Sequence, residues 1–175
     1  MKIINGIYKN FNINYKNINI RPTTSLVKES IFNIMNNCID IKKSTILDLY
    51  SGTGNIALEF ISRECIEATS VDNNVNCINF IKKCKKILEI YNLNIIKSDA
   101  IKFIKNQKYK YDIIYIDPPY SKIHDINIIN NIVFNNPLNK KSWYIIEHYY
   151  KFNFKNNFLI KTKKYGDTVL SIFYI

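Results

Sequence analysis

The chain has 175 residues, of which 47% are hydrophobic, and this combination predicts one domain with a single buried core. No stretch approaches the 18 or more apolar residues of a membrane-spanning helix, and the start, MKIINGIYKNF, lacks the apolar segment of a signal peptide. The formal net charge of +11 favours a polyanionic partner such as nucleic acid, although the abundance of Asn, Ile, Lys and Tyr is also typical of an AT-rich genome.

The N-terminal part of the chain predicts a hairpin followed by a helix. Residues 1–20 alternate loosely between apolar and polar positions, which is typical of a β-hairpin, here turning near Lys9 and Asn10. In the next segment, RPTTSLVKESIFNIMNN, Thr24 or Ser25 can cap a helix. The apolar face of that helix is predicted to be Leu26, Ile31, Ile34 and Met35.

From residue 44 onward, short apolar strands alternate with helical segments. Strands are predicted at 44–50, 67–72, 93–99, 111–117, 142–148, 157–165 and 167–175. Helices are predicted at 54–65, 73–91, 100–106 and 124–136. This alternation indicates an α/β fold with a doubly wound, mostly parallel seven-stranded sheet, and the last two strands must form an antiparallel edge hairpin because no helix separates them. We expect an N-terminal extension at 1–40 and a core at 41–175, within one domain.

A glycine-rich loop joins the first core strand to its helix. The segment LDLYSGTGNIALE has the spacing G-x-G-x-x-A from Gly52 through Gly54 to Ala57, which suits a tight turn, close approach of a ligand and packing of helix on strand. Twenty residues after Gly52 the next strand ends in Asp72, whose carboxylate can accept hydrogen bonds from both ribose hydroxyls of a nucleotide-like cofactor. A glycine-rich turn without any ligand is the structural alternative.

Two cofactor classes suit this loop, dinucleotides and S-adenosylmethionine. Asp48, just before the loop, would attract the cationic amino-acid end of S-adenosylmethionine and favours it modestly. In the next strand end, KSDA, Asp99 could accept a hydrogen bond from an adenine amino group while the Ala100 backbone contacts the ring. Asp99 could equally cap the following helix, or do both.

The segment DIIYIDPPYSK ends a strand with a motif that suits methylation of an exocyclic amine. Asp117 would offer a side-chain oxygen, and Pro118, followed by Pro119, a backbone carbonyl held by its fixed φ. Two acceptors would orient the amine toward a methyl donor, and Tyr120 would stack on a base rotated out of its helix. These four residues are the predicted catalytic group; a tight loop with a surface aromatic is the structural alternative.

The motifs DLYSGTGNIALE, VD, SDA and DPPY, in this order, resemble class I S-adenosylmethionine-dependent methyltransferases. INGIYKN, RPTTSLVKESIFNIM, EFISRE and KYGDTVLSIFY further resemble the RsmD family, which methylates guanine N2 in small-subunit (16S) ribosomal RNA. The chain departs from the family at two positions. The usual small residue before the glycine loop is Ser51 here, and Glu64 stands where glycine is frequent.

The resemblance implies S-adenosylmethionine as cofactor, with substrate contacts at Arg21, Thr23 and Tyr120. The cofactor-binding set is predicted to be Asp48, Ser51, Gly52, Gly54, Asp72, Asn73, Asp99 and Ala100. Arg21 could instead form a surface salt bridge, and Arg63 is expected to be structural rather than RNA-binding.

The implied substrate is small-subunit ribosomal RNA, either free or in the assembling 30S particle. Two alternatives stay open: a DNA adenine-N6 or cytosine-N4 methyltransferase, which would need a recognition module, and a catalytically silent RNA-binding assembly factor. Four cysteines without a C-x-x-C pair, and only two histidines, argue against a zinc site and suit reduced thiols. We expect a cytoplasmic monomer without a metal or a membrane contact.

Overall fold

The computed structural model describes residues 2–12, 23–119, 123–135, 141–152, 154 and 157–175. The helices are α1 Ser25–Met35, α2 Asn55–Ser62, α3 Val75–Ile87, α4 Ala100–Asn106 and α5 Ile123–Asn135, with one 3₁₀ turn at Ile41–Lys43. The strands are β1 Thr45–Leu49, β2 Glu67–Asp72, β3 Leu93–Lys97, β4 Ile113–Ile116, β5 Trp143–Tyr149, β6 Leu159–Tyr165 and β7 Thr168–Tyr174.

These strands form one seven-stranded sheet in the order β3-β2-β1-β4-β5-β7-β6. The first five strands in that order are parallel, and β7 is antiparallel to both β5 and β6. The predicted doubly wound sheet with an antiparallel C-terminal hairpin is therefore confirmed. The order of the strands reverses at β1: β2 and β3 are added on one side of it, and β4 and β5 on the other. Ligands of such sheets bind beyond the carboxyl ends of the strands at this switch point, between β1 and β4.

The two faces of the sheet are covered by different helices. One buried cluster joins α1, α2 and α3 to inward-facing residues such as Ile46 and Tyr115. The other joins α4 and α5 to the alternate residues, such as Leu47 and Ile114. Because successive side chains of a strand point to opposite faces, the apolar runs of β1 and β4 are buried on both sides.

The N-terminal extension agrees with its prediction at the turn and differs from it in the helix. Ile3 exchanges backbone hydrogen bonds with Asn10 and Phe11, and the Phe11 amide donates to the Tyr8 carbonyl at 3.0 Å, so the reversal includes a turn with Lys9 and Asn10 at its centre. Residues 13–20, the rest of the predicted second arm, lie outside the described residues. In α1, which Thr24 caps through its side chain, Leu26 is 61% exposed, and the buried apolar face consists of Val27, Ile31, Phe32 and Met35.

Helices α2 and α3 are shorter than predicted because each ends in a left-handed residue. Glu64 (φ 64°) and Glu89 (φ 52°) follow the two helix ends, where the next amide bonds back to the last turn. This is the Schellman arrangement, in which glycine is usually preferred. The departure at Glu64 thus falls at a position where the backbone conformation itself favours glycine.

Candidate functional site

A cleft opens beyond the carboxyl ends of β1 and β4, between the glycine loop and the Asp-Pro-Pro segment. It holds about 320 Å³ of empty space, part of which is open to solvent. The lining residues are Thr23, Asp48, Tyr50, Ser51, Gly52, Thr53, Asn55, Ile56, Tyr115 and Asp117. The predicted catalytic Asp117 and three predicted cofactor residues therefore face one space.

The glycine loop owes its shape to alternating left-handed residues. Tyr50, Gly52 and Gly54 have φ values of 58°, 52° and 71°. The Ser51 amide donates to the Val71 carbonyl at 3.0 Å, and the Gly54 amide donates to the Ser51 carbonyl at 2.7 Å. The loop is therefore tied to β2 and closed on itself before α2 begins.

The missing side chain of Gly54 also serves packing. Gly54 is the N-terminal cap of α2 in a left-handed conformation. A Cβ atom added there would lie 2.9 Å from Cγ1 of Ile81 in α3. The contact between the loop and α3 thus gives a structural reason for this glycine, and its approach to a ligand stays a prediction.

Asp48 is a buried carboxyl group at the floor of the cleft. It is 1% exposed, and its Oδ2 accepts a hydrogen bond from the Ala57 amide at 3.1 Å. Burial raises the pKa of Asp48 to about 8, opposed by the Ala57 hydrogen bond and reinforced by the negative charge of Asp72. The carboxylate form therefore needs a positive charge in the cleft to be favoured.

Asp72, at the end of β2, supports the glycine loop directly. Its Oδ2 accepts from the Gly52 amide at 2.8 Å, and its Oδ1 accepts from the Asn74 amide at 2.8 Å. Each carboxylate oxygen retains a further lone pair, so this side chain can still accept from a ligand hydroxyl. The neighbouring Asn73 is exposed.

Asp99 and Ala100 lie at the next strand end along the sheet and do not line the cleft. Asp99 caps α4, because its side chain accepts from the Lys102 amide at 3.0 Å. The Ser98 amide donates to the Asp72 carbonyl at 3.0 Å, which brings the ends of β2 and β3 together. Ala100 is buried. The capping prediction is confirmed, and the adenine contact stays a prediction.

The Asp-Pro-Pro segment follows β4 beside the cleft. The Asp117 amide donates to the Leu49 carbonyl at 3.4 Å, and the half-buried Asp117 lines the cleft. Pro118 is buried and Pro119 is exposed. Tyr120, the predicted stacking residue, lies outside the described residues.

The N-terminal extension reaches the cleft through Thr23. The backbone carbonyl of Thr23 accepts from Asn55 Nδ2 at 3.1 Å, and its side chain hydrogen-bonds the Tyr115 hydroxyl. The Tyr115 hydroxyl also donates to Glu147 Oε2 at 2.6 Å. Burial and the nearby Glu147 and Asp117 raise the pKa of Tyr115 well above its ordinary value, so it is a neutral donor. Arg21 lies outside the described residues.

A buried ionic cluster anchors this extension to α2. Glu59 is fully buried and accepts from the Lys28 ammonium and the Ile4 amide, each at 2.8 Å, and from the Arg63 guanidinium. Lys28 also donates to the Lys2 carbonyl at 2.6 Å and to Asn55 Oδ1 at 3.1 Å. Arg63 packs 3.6 Å from the Phe32 ring centroid, in agreement with its predicted structural role.

Sequence reasoning missed Tyr50, Thr53, Asn55, Ile56 and Tyr115 as lining residues. Tyr50 and Tyr115 have hydrogen-bond partners far away in sequence: Tyr50 donates to Asp125 Oδ2 of α5 at 2.8 Å. No local sequence pattern predicts hydrogen bonds between residues so far apart in the chain. Asn55 had a signal, since a polar residue opening an otherwise apolar helix directly after a glycine loop faces the loop's ligand side.

Two features of the cleft fit S-adenosylmethionine. Among the described residues, no lysine, arginine or histidine forms an ion pair with the buried Asp48. In the same part of the chain, the buried Ser51 hydroxyl has no hydrogen-bond partner. A ligand with a cationic group and polar atoms would satisfy both. The described residues contain no group of three His, Cys, Asp or Glu side chains placed to bind a metal.

Across the described ranges, no helix combines the length and hydropathy that crossing a membrane requires.

Several solved structures resemble this chain over nearly its whole length. A proposed methyltransferase from Escherichia coli aligns with a TM-score of 0.85 and 23% identity, covering 99% of this chain and 96% of the other. A hypothetical protein from Thermus thermophilus aligns with a TM-score of 0.83 and 16% identity, covering 100% and 99%. At these identities the likeness concerns the fold.

Sequence comparisons identify the family. The family model described as conserved hypothetical protein 95 matches residues 1–174. A protein of Buchnera aphidicola subsp. Baizongia pistaciae, named ribosomal RNA small subunit methyltransferase D, is 34% identical over 169 residues, which cover 94% of this chain and 86% of that protein. A protein with the same name from Buchnera aphidicola subsp. Acyrthosiphon pisum is 37% identical over 134 residues, covering 74% and 69%. The chain therefore belongs to this family, the RsmD family of the small-subunit methyltransferases D.

Proposed function

We propose that this protein transfers a methyl group from S-adenosylmethionine to the exocyclic N2 of a guanine in small-subunit ribosomal RNA. The observation that carries the proposal is the shared cleft, in which the buried Asp48 and the glycine loop face Asp117. Ribosomal RNA is proposed as the substrate because both Buchnera relatives are named ribosomal RNA small subunit methyltransferase D. The guanine-N2 target comes from the resemblance of the RPTT and DPPY segments to the RsmD family.

On the donor side, S-adenosylmethionine supplies an activated methyl group on a sulfonium. Asp48 offers its carboxylate to the cationic amino-acid end, and the Ser51 hydroxyl is available for a further polar contact. Asp72 accepts from the ribose hydroxyls through its remaining lone pairs while it holds the Gly52 amide. Asn73, Asp99 and Ala100 complete the proposed contacts around the adenosine, beyond the ends of β2 and β3.

On the acceptor side, Asp117 and the Pro118 carbonyl accept one hydrogen each from the guanine amine. The nitrogen lone pair, otherwise delocalised into the ring, is thereby turned toward the methyl donor. On transfer, the new N–C bond would form as the S–C bond of the donor breaks and leaves a neutral thioether, and the methylated amine would release one proton to water. No strong base is needed for this release, because the ring-conjugated ammonium is strongly acidic, and positioning and charge complementarity lower the barrier. Pro119 stiffens the loop, and Tyr120 stacks on the base once it has left its helix.

The extension at residues 1–40 is proposed to cover the cleft from the substrate side. Its supporting contacts are the bonds that Thr23 makes with Asn55 and Tyr115 at the cleft wall. Arg21, two residues earlier in the chain, is proposed to contact an RNA phosphate. The net charge of +11 suits a substrate of this kind, either free ribosomal RNA or the assembling particle.

The substrate is tested by incubating the protein with labelled S-adenosylmethionine and a panel of acceptors, followed by nucleoside mass spectrometry. The panel contains small subunits lacking the modification, free small-subunit ribosomal RNA, and DNA. Label in N2-methylguanine of the RNA is expected. Label in DNA adenine or cytosine would contradict the proposal, and tight RNA binding without cofactor uptake or transfer would point to an assembly factor.

The role of Asp117 is tested by the substitution Asp117→Ala. Loss of one acceptor at the amine is expected to lower methyl transfer by about 10²–10³-fold, the range seen when one such polar contact is removed from an active site. Binding of S-adenosylmethionine, measured by calorimetry, is expected to persist. The exposed Asp167→Ala, in the turn between β6 and β7, serves as the matched control. Equal turnover in both variants would remove Asp117 from this role.

A further inference from the structure

A basic, aromatic surface lies at the end of β5 and beside β6, outside the cleft. It consists of Tyr149, Tyr150, Lys151 and Lys164, and we call it the basic edge surface. Tyr150, Lys151 and Lys164 are exposed, and Tyr149 is half-buried. Five lysines and a single acidic residue, Asp167, occur between residues 149 and 175, so this part of the chain is strongly cationic.

The sheet topology places this surface at the carboxyl ends of β5 and β6, which is the end of the sheet where Asp117 also lies. β5 is parallel to β4, and β6 runs in the direction of β5 because both are antiparallel to β7. Tyr149 and Tyr165 both pair with Thr168, so the ends of these strands are in register. Three strand spacings separate β6 from β4, or about 15 Å. That span equals roughly four nucleotides of a stacked strand, at about 3.4 Å per phosphate.

The side chains of this surface are organised around Tyr150. Its ring lies 4.6 Å from the Tyr149 ring, and the Lys164 ammonium lies 4.5 Å from the Tyr150 centroid. Lys151 Nζ lies 5.9 Å from each tyrosine centroid. The Tyr150 amide is fixed by a 2.9 Å hydrogen bond to the Asp167 carbonyl. Two ammonium groups are therefore held beside accessible aromatic rings on a firm backbone.

Protection of a sheet edge explains only part of this arrangement. Lysines on an edge strand such as β6 discourage pairing with another chain, and Lys164 would serve that purpose. Tyr149 belongs to β5, which is an interior strand, and Tyr150 and Lys151 follow it directly. Edge protection therefore gives no reason for the two tyrosines or for Lys151. Aromatic rings beside lysines are the usual composition of a surface that tracks a single-stranded nucleic acid.

We propose that the basic edge surface binds the RNA strand that flanks the target guanine. Lys151 and Lys164 contact phosphates, and the ring of Tyr150 stacks on an unpaired base. This inference rests on the proposed function, since it extends the RNA path from the cleft across the ends of β5, β7 and β6. It predicts that the surface acts on RNA affinity and leaves cofactor binding and the chemical step unchanged.

The test compares two double substitutions that remove the same charge. Lys151→Gln with Lys164→Gln alters the basic edge surface. Lys82→Gln with Lys83→Gln is the control, because these exposed lysines lie on α3, which packs beside β3 at the opposite edge of the sheet. Affinity for unmodified small-subunit RNA is measured against salt concentration, together with KM, kcat and calorimetric binding of S-adenosylmethionine.

The edge variant is expected to lower the slope of log affinity against log salt by about 1.4, since each lost phosphate contact removes roughly 0.7 on a single strand. Its KM for RNA rises while kcat at saturation stays unchanged, and the control keeps the wild-type slope. Tyr150→Leu is expected to weaken RNA binding roughly 10-fold through lost stacking, without a change in the salt slope.

Equal slopes in the edge and control variants, with transfer intact, would overturn this inference and leave the proposed function standing. Aggregation of the edge variant with an unchanged slope would also overturn it, because the lysines would then only protect the strand edge. If the wild type neither binds nor methylates any RNA, both the proposed function and this inference fail. A slope change seen only with DNA would likewise overturn it.

Discussion

Two buried carboxyl groups flank α2 and differ in what surrounds them. Glu59, in the body of the helix, accepts hydrogen bonds from a backbone amide, an ammonium and a guanidinium. Asp48, beneath the N-terminus of the helix, accepts one hydrogen bond from the described residues, donated by the Ala57 amide. Both are at most 1% exposed. The same chemical group is thus saturated at one place and left incomplete at the other.

The difference separates a structural carboxylate from one that is kept for a ligand. An unpaired buried charge is costly, so a protein tolerates an incomplete carboxyl group chiefly where a ligand completes it. Glu59 fastens the extension to the core, whereas Asp48 faces the cleft. Three substitutions test this contrast.

The largest effect is expected from Glu59→Gln. Removing this charge leaves Lys28 and Arg63 buried without their counter-ion, which typically costs about 3–5 kcal/mol of unfolding free energy. Urea unfolding followed by circular dichroism measures the cost. Glu64→Gln is the control, because it breaks an exposed pair with Lys42, for which little change in the free energy of unfolding is expected. Similar costs for the two variants would show that the buried cluster is not an anchor.

The second substitution tests whether steric packing, as well as charge, holds the N-terminal turn against α2 near Glu59. A Cβ atom on Gly6 would lie 1.8 Å from the Ser62 carbonyl oxygen, and Gly6 has φ 87°. Gly6→Ala must therefore displace the N-terminal turn from α2, at a cost of about 2–3 kcal/mol. Gly166→Ala shares the left-handed backbone but meets nothing within 4 Å, so only about 1 kcal/mol is expected. Differential scanning calorimetry of both variants decides between a steric cost and a purely conformational one.

The third substitution tests the slope of stability against pH that Asp48 imposes, rather than the stability at a single pH. Its pKa is raised from 3.8 to about 8 in the folded protein, so the folded state holds a proton that the unfolded chain releases. The associated stability is present below pH 4 and is lost as pH rises through 8, with a slope of up to about 1.4 kcal/mol per pH unit. Asp48→Asn should remove this slope in urea unfolding between pH 5 and 9.

Exposed Asp40→Asn, which removes the same charge from the surface, is the control for Asp48→Asn and should keep the wild-type slope. Saturating S-adenosylmethionine should flatten the slope of the wild type alone, because a cation beside Asp48 favours its carboxylate. A slope that survives in Asp48→Asn would assign the pH dependence to other groups.

Local patterns sufficed for most of the fold. The alternation of apolar strands and helices predicted the parallel sheet, and the absence of a helix between the last two strands predicted the antiparallel edge. Asp99 was a predicted helix cap, and its side chain does bond the Lys102 amide. These features depend on residues close together in the chain, for which periodicity and capping rules are sufficient.

Long-range pairs escaped prediction. Lys28 belongs to the RPTTSLVKE segment that carries the family resemblance, but nothing nearby in sequence shows that it is buried against Glu59, 31 positions later. Leu26 was assigned to the core by its hydrophobicity, yet Val27 takes that place because the helix is rotated to bring Lys28 inward. The wall of the cleft formed by Tyr50 and Tyr115 depends equally on partners in α5 and β5.

The separation between Ile4 and Glu59 has a consequence for synthesis of the chain. Their hydrogen bond spans 55 positions, and Ser62 binds Asn5 across 57. At about 5–20 residues per second, roughly 3–11 s pass between translation of the N-terminal turn and translation of its partners on α2. The N-terminal turn therefore cannot form these contacts until α2 has been translated, and during that interval its Ile4 amide and Asn5 carbonyl lack these partners.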